Sequence, residues 1–200
     1  MAGKRPAPGS DGRPLSFIER KRREQLIEAT IALVAEHGYA ATSLARIAQA
    51  AGITKGAVLY HFPSKDAVVA AARTHVLDAL VADVGAAVDA APPGARPAAY
   101  VRRMVGYLTE HPDHARTLIE VLISGGRPDP AARREPFAAL LQAAREARGL
   151  PPAADPRTPA VIAGGAIDAI VDARLQDPAY DSAAAAEALV TMLESTFLRT

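Results

Sequence analysis

Between Gly52 and Val68 the chain reads GITKGAVLYHFPSKDAV, and the side chains in it that could do chemistry are Lys55, Tyr60, His61 and Lys65, with hydroxyls on Thr54 and Ser64. A lysine ammonium on its flexible stem can reach a guanine edge or a phosphate, while a phenol and an imidazole can donate hydrogen bonds to phosphate oxygens. The whole chain has five Tyr, four Phe and no Trp, so the placing of Tyr60 and Phe62 on either side of His61 needs a reason.

Catalytic chemistry finds less support. No Ser/His/Asp order, paired carboxylates or glycine-rich phosphate loop stands out, and SGG at Ser124 to Gly126 reads as a helix stop. Without cysteine there are no disulfides, thiolate nucleophiles or cysteine-ligated metals. EHPDH, Glu110 to His114, sets two histidines beside acids, but zinc wants three or four convergent ligands and Pro112 breaks the helix that would align these two. A polar turn between helices is the expectation there, and the sequence predicts no enzyme, no metal site and no cofactor.

Charge is unevenly spread. Residues 1–65 carry ten Lys or Arg against five Asp or Glu, and the remainder thirteen against seventeen, within a formal net charge of only +1. The basic part holds the opening stretch; a polyanion partner and a solvated basic tail both fit that distribution. The longest uncharged run, Thr158 to Ile167, falls far short of the roughly 20 apolar residues of a membrane span. Lys4 and Arg5 lead into Pro, Gly and Ser rather than an apolar leader, so a cytoplasmic protein without a membrane partner is expected.

The elements that must position these side chains are helices. Residues 1–15 are rich in Gly, Pro and charge and read as a disordered arm, in which Lys4, Arg5 and Arg13 could follow a minor groove or simply be solvated. Ser16 to His37 places Ile18, Leu26, Thr30, Leu33 and Val34 on one face, and Gly38 stops it. Ser43 can cap a helix with Leu44, Ile47, Ala48 and Ala51 at helical spacing; Thr54 can cap a third, short one to Phe62. Pro63-Ser64 then starts a long helix, Lys65 to Ala90, with Val69, Val76, Leu80, Val84 and Val88 buried. APPGARP, Ala91 to Pro97, marks a boundary, and five more helices follow. The expected fold is all-α with about nine helices and no strand. Its division is 1–15 arm, 16–64 reading domain, 65–90 connecting helix and 91–200 C-terminal domain.

Two short helices joined by AGIT have the punctuation of a helix-turn-helix, whose second helix enters the major groove of DNA. Gly52 then permits the tight turn, Gly56 leaves room for backbone to approach DNA, and Phe62 turns inward. The string TSLARIAQAAGITKGAVLYHFPSKDAVVAA, preceded by LVAEHGYAA, closely resembles the DNA-binding domain of the tetracycline-repressor (TetR) family of bacterial regulators, over about Arg22 to Ala72. Carried over residue by residue, the resemblance implies DNA contacts at Thr42, Ser43, Thr54, Lys55, Gly56, Ala57, Tyr60, His61 and Lys65. Lys55 to Ala57 would read bases; the hydroxyls, His61 and Lys65 would position phosphates. Two departures matter: Leu59 replaces a common tyrosine and offers an apolar contact to a thymine methyl, and Arg46 replaces a capping acid and offers a phosphate contact, or is a solvated charge.

The resemblance also implies a larger helical domain that binds a small effector and dimerises through its last two helices. Met104, Tyr107, Leu118, Val121, Leu122, Phe137 and Leu141 are the candidate pocket lining, apolar enough for a hydrophobic or amphipathic effector and equally well explained as core. Ile162, Ala166, Ile170, Leu189, Leu193 and Phe197 are the candidates for a homodimer interface, with an intramolecular core as the alternative. The function implied is a homodimeric repressor, released from a palindromic double-stranded DNA operator by an effector acting along the helix Lys65 to Ala90. A regulator without an effector, or an activator, is the alternative; a helical enzyme or interaction module is the remote one.

Overall fold

The computed structural model describes residues 16–124 and 130–199, with side chains outside 121–133. Among them are nine α-helices and no strand: α1 Phe17–Ala41, α2 Leu44–Ala50, α3 Lys55–His61, α4 Lys65–Ala90, α5 Arg96–Glu110, α6 Pro112–Ser124, α7 Pro130–Ala147, α8 Arg157–Gln176 and α9 Ser182–Phe197, with a 3-10 turn at Pro93–Ala95. The arm and its cations Lys4, Arg5 and Arg13 lie outside the described residues.

Two compact units divide the chain. The first draws on Met1–Leu77 and Arg116–Gly125, the second on Asp78–Ala115 and Gly126–Thr200, so α4 and α6 each carry residues of both.

In the first unit the helix ends are written locally. Ser16 and Glu19 form a reciprocal capping box on α1, with the Ser16 amide donating to Glu19 Oε2 at 2.8 Å and the Glu19 amide to Ser16 Oγ at 3.2 Å. Ser43 accepts from the Arg46 amide at 3.3 Å, Thr54 from Ala57 at 3.2 Å and Ser64 from Ala67 at 3.1 Å, each satisfying an amide that a helix start leaves without a partner. Gly38 breaks α1 with φ 78 and ψ 166, a region in which only glycine sits without strain. The core beneath is Leu26, Ile47, Ala48, Ala51, Val58, Phe62 and Val68, drawn from all four helices. Ile18, expected on the buried face of α1, is instead 77% exposed, because the buried face of α1 begins only at Leu26.

The second unit buries Val101 and Val105 of α5, Phe137, Leu141 and Ala144 of α7, Ala163, Ile167, Ile170 and Val171 of α8, and Leu189, Val190 and Leu193 of α9 in one cluster. Val69, Val76, Leu80, Val84 and Val88 are all buried along α4, as its spacing predicts.

Candidate nucleic-acid interface

α3 is seven residues long and has two unlike faces. Val58, fully closed to solvent, and Phe62, which caps the helix at its C-terminal end, lie in the core, while Thr54, Lys55, Gly56 and Leu59 are exposed and Ala57, Tyr60 and His61 half-exposed. Side chains of α1 hold this short helix and the end of α2 in place. The Arg23 guanidinium stands 4.1 Å from the centroid of the Phe62 ring and donates to the His61 carbonyl. Gln25 Nε2 donates to the Ala51 carbonyl at 3.0 Å, fixing the end of α2. Tyr60 donates its hydroxyl to Glu19 Oε1 at 3.3 Å.

The two glycines of the stretch have different reasons. Gly52 sits at φ +66 with nothing within 4 Å of a Cβ built on it, so backbone conformation alone demands glycine in the turn. Gly56 has no positive φ, and the one neighbour of its would-be Cβ is Thr54 Oγ1 at 3.8 Å, an ordinary contact. Neither strain nor internal packing requires glycine at 56.

The remaining candidates are placed as follows. Ser43 is half-buried and occupied as the cap of α2. Arg46 donates to the Ala41 carbonyl at 2.9 Å. Lys65 lies 3.8 Å from the centroid of the Tyr39 ring and donates to the Tyr39 carbonyl at 2.8 Å. Thr42 is placed otherwise than expected: it is 2% exposed and donates its hydroxyl to the Gly38 carbonyl at 2.8 Å, which makes it a brace for the α1–α2 corner rather than a contact surface. His61 Nδ1 is buried without a hydrogen-bond partner; burial first, and then the charge of Arg23, hold its imidazole below the usual histidine value. Gln25 went unread in the sequence because only the fold brings α1 to the carbonyl it meets, and the run Arg20 to Arg23, which reads as a DNA-flanking patch or a solvated face, has Arg23 turned to Phe62 and the His61 carbonyl.

The family model "Bacterial regulatory proteins, tetR family" matches residues 26–72, a stretch that includes this exposed row of cation, hydroxyl, glycine and leucine. Residues 26–72 thus resemble the helix-turn-helix domain of TetR-family regulators. The HTH-type transcriptional regulator BetI of Paraburkholderia xenovorans (strain LB400) is 45% identical over 56 residues, 28% of this chain and 29% of BetI. The match to such curated relatives thus spans less than a third of their length. Over nearly the whole chain the likeness is one of fold. A TetR-like transcriptional regulator from Rhodococcus sp. RHA1 superposes with a TM-score of 0.74 at 21% identity, covering 94% of this chain and 100% of that one. AibR, solved in complex with isovaleryl coenzyme A and operator DNA, does so at 0.69 and 21%, covering 90% and 100%.

The C-terminal candidates separate. Tyr107, Phe137 and Leu141 are buried in the second unit and Met104 is partly buried there, whereas Leu118 packs in the first unit against Ile31, Ala72 and Val76; the side chains of Val121 and Leu122 lie outside those described. Tyr107 shares a 2.9 Å hydrogen bond with His114 Nδ1, and His111 stacks on His114 at 5.3 Å. Among the described residues no group of three or more His, Cys, Asp or Glu could hold a metal, and no helix is long and apolar enough to cross a membrane. Of the interface candidates, Ile170, Leu189 and Leu193 are at most 8% exposed inside the core of their own unit, and Ala166 and Phe197 pack against it. Ile170, Leu189 and Leu193 are thereby closed to solvent, while Ala166 and Phe197 keep part of their surface open. Ile162 is 46% exposed, and the other exposed large apolar residues of α8 and α9 are Val161 and Met192, the latter 60% exposed.

Proposed function

We propose that the chain is a sequence-specific DNA-binding transcriptional regulator, a homodimeric repressor that leaves a palindromic operator when a small amphipathic effector binds. The carrying observation is the outward face of α3, where Thr54, Lys55, Gly56 and Leu59 stand exposed over a helix locked from beneath by Val58, Phe62 and Arg23. Lys55 reads a base edge, Leu59 meets a thymine methyl, and Tyr60, His61 and Lys65 take phosphates, with the N-terminus of α4 adding its dipole. Glu19 holds the Tyr60 hydroxyl until a phosphate replaces it.

Dimerisation places two such helices on successive half-sites and sets their spacing. Exposed Val161, Ile162 and Met192 support a contact through α8 and α9. AibR, whose fold this chain shares, was solved with isovaleryl coenzyme A and operator DNA, which supports an effector with an apolar chain and a polar head. Release follows if that effector favours a conformation of α4 with the wrong half-site spacing.

The test is a titration of a duplex selected by the wild-type protein, at several salt concentrations, beside Lys55→Ala and Tyr60→Phe. We expect two chains per duplex, a steep loss of affinity with salt, a changed sequence preference for Lys55→Ala and a uniform weakening for Tyr60→Phe. One chain per duplex, or an unchanged preference for Lys55→Ala, contradicts the assignment.

A further inference from the structure

The break in α1 at Gly38 leaves a corner whose polar groups are met by its own cap and by other elements. The Gly38 carbonyl accepts from the Thr42 hydroxyl at 2.8 Å. The Tyr39 amide donates to Glu120 Oε2 of α6 at 3.0 Å, across 81 positions of sequence. The Tyr39 carbonyl accepts from the Thr42 amide at 3.2 Å and from Lys65 Nζ at 2.8 Å, and the Tyr39 ring lies beneath that same ammonium. The Tyr39 hydroxyl donates to Asp66. Residue 39 therefore joins the end of α1, the approach to α2, the start of α4 and one side chain of α6.

The fit around Glu120 is close. A Cβ on Gly38 would stand 3.3 Å from Glu120 Oε2 and 3.4 Å from its Cδ, so glycine at 38 serves the carboxylate as well as the positive φ. α6 reaches the same unit by two further contacts: Thr117, fully buried, hydrogen-bonds the Ile31 carbonyl at 3.5 Å, and Leu118 packs on Ile31, Ala72 and Val76. Of these α6 side chains, Glu120 bears on the corner from which both α2 and the Lys65 ammonium are held.

We propose that Glu120 is a positioning residue for DNA binding: by accepting from the Tyr39 amide it fixes the corner that aims Lys65 at a phosphate. This rests on the regulator reading above. It makes a prediction opposite in sign to simple charge. Removing an acid from a DNA-binding unit should strengthen binding to a polyanion; removing this one weakens it, because the corner is released.

Three variants of Glu120 separate reach from charge. Glu120→Ala loses both, Glu120→Asp keeps the charge on a stem one methylene shorter, and Glu120→Gln keeps an acceptor oxygen at full reach without charge. On a duplex selected by the wild type, Glu120→Ala and Glu120→Asp are expected to bind about tenfold more weakly, with a slope of log affinity against log salt lower by about one phosphate contact. Glu120→Gln stays within about threefold of wild type. Combined with Lys65→Ala, Glu120→Ala costs little beyond Lys65→Ala alone, because the two act through one ammonium. Hydrogen exchange of the Tyr39 amide should quicken in the Ala and Asp variants and stay slow in Gln. The proposal is overturned if Glu120→Asp binds like wild type with an unchanged slope, if Glu120→Gln is as weak as Glu120→Ala, or if the effects of Glu120→Ala and Lys65→Ala multiply. Should the wild type itself select no sequence, the regulator reading falls and takes this proposal with it. Selection by the wild type with an indifferent Glu120 removes this proposal alone.

Discussion

Gly56→Ala should make the protein more stable and a worse DNA binder. The residue is the second of α3, directly after Lys55, has no positive φ, and offers a new methyl only the Thr54 hydroxyl at 3.8 Å. No internal clash opposes alanine. Glycine inside a helix costs about 0.5–1 kcal/mol relative to alanine, and a position in the first turn of a short helix lies at the low end, so a gain of about 0.5 kcal/mol is expected. That is roughly a twofold slower opening of α3, readable as hydrogen exchange at the Val58 and Leu59 amides. If backbone at this point lies against DNA, the methyl pushes the helix away and lengthens one or two hydrogen bonds to phosphate, about 1 kcal/mol each. Affinity for a selected duplex then falls about tenfold, which is 1.4 kcal/mol. Gly52→Ala is the internal contrast: nothing stands within 4 Å, yet φ is +66, and the left-handed backbone costs about 1–2 kcal/mol of stability. The reasoning is refuted if Gly56→Ala gains stability and binds DNA as well as wild type, since glycine there would then serve no partner.

Two further outcomes follow from the geometry. The folded pKa of His61 is depressed below its ordinary 6.5 by burial and by Arg23, so the unfolded chain takes up a proton there that the folded unit refuses. Its contribution is constant above 6.5, and stability falls as pH drops from 6.5 towards the depressed value; urea unfolding of the first unit at stepped pH should show this slope, flattened in His61→Gln. In the last helix, neighbours should behave differently: Met192→Glu, at a 60% exposed site, should yield a folded monomer in sedimentation, whereas Leu193→Ala, 3% exposed in the core, should cost about 2–5 kcal/mol and lower the melting temperature.

What the sequence disclosed was local. Ser43, Thr54 and Ser64 were readable as caps because a cap depends on residues three positions apart, and the buried row of α4 because helical spacing fixes which residues share a face. Spacing does not say what that face meets. Leu189 and Leu193 fit a surface for a second chain or an intramolecular core equally by spacing, and they lie in their own unit's core; Ile18 continued the pattern of α1 ahead of the point where its buried face begins. Leu118 was grouped with Tyr107 by apolar character, yet it packs with Ile31 and Val76 of the first unit. The Glu120 contact to Tyr39 left no trace in the sequence, since an acid on a helix marks no partner 81 residues away.

The central claim is that the exposed face of α3 reads a DNA sequence. It is tested most directly by in vitro selection from a random duplex pool with the purified wild-type protein beside Lys55→Ala. The account predicts an enriched palindrome for the wild type and a relaxed or altered one for Lys55→Ala. Failure of any sequence to enrich, even at low salt where phosphate contacts are strongest, would contradict it.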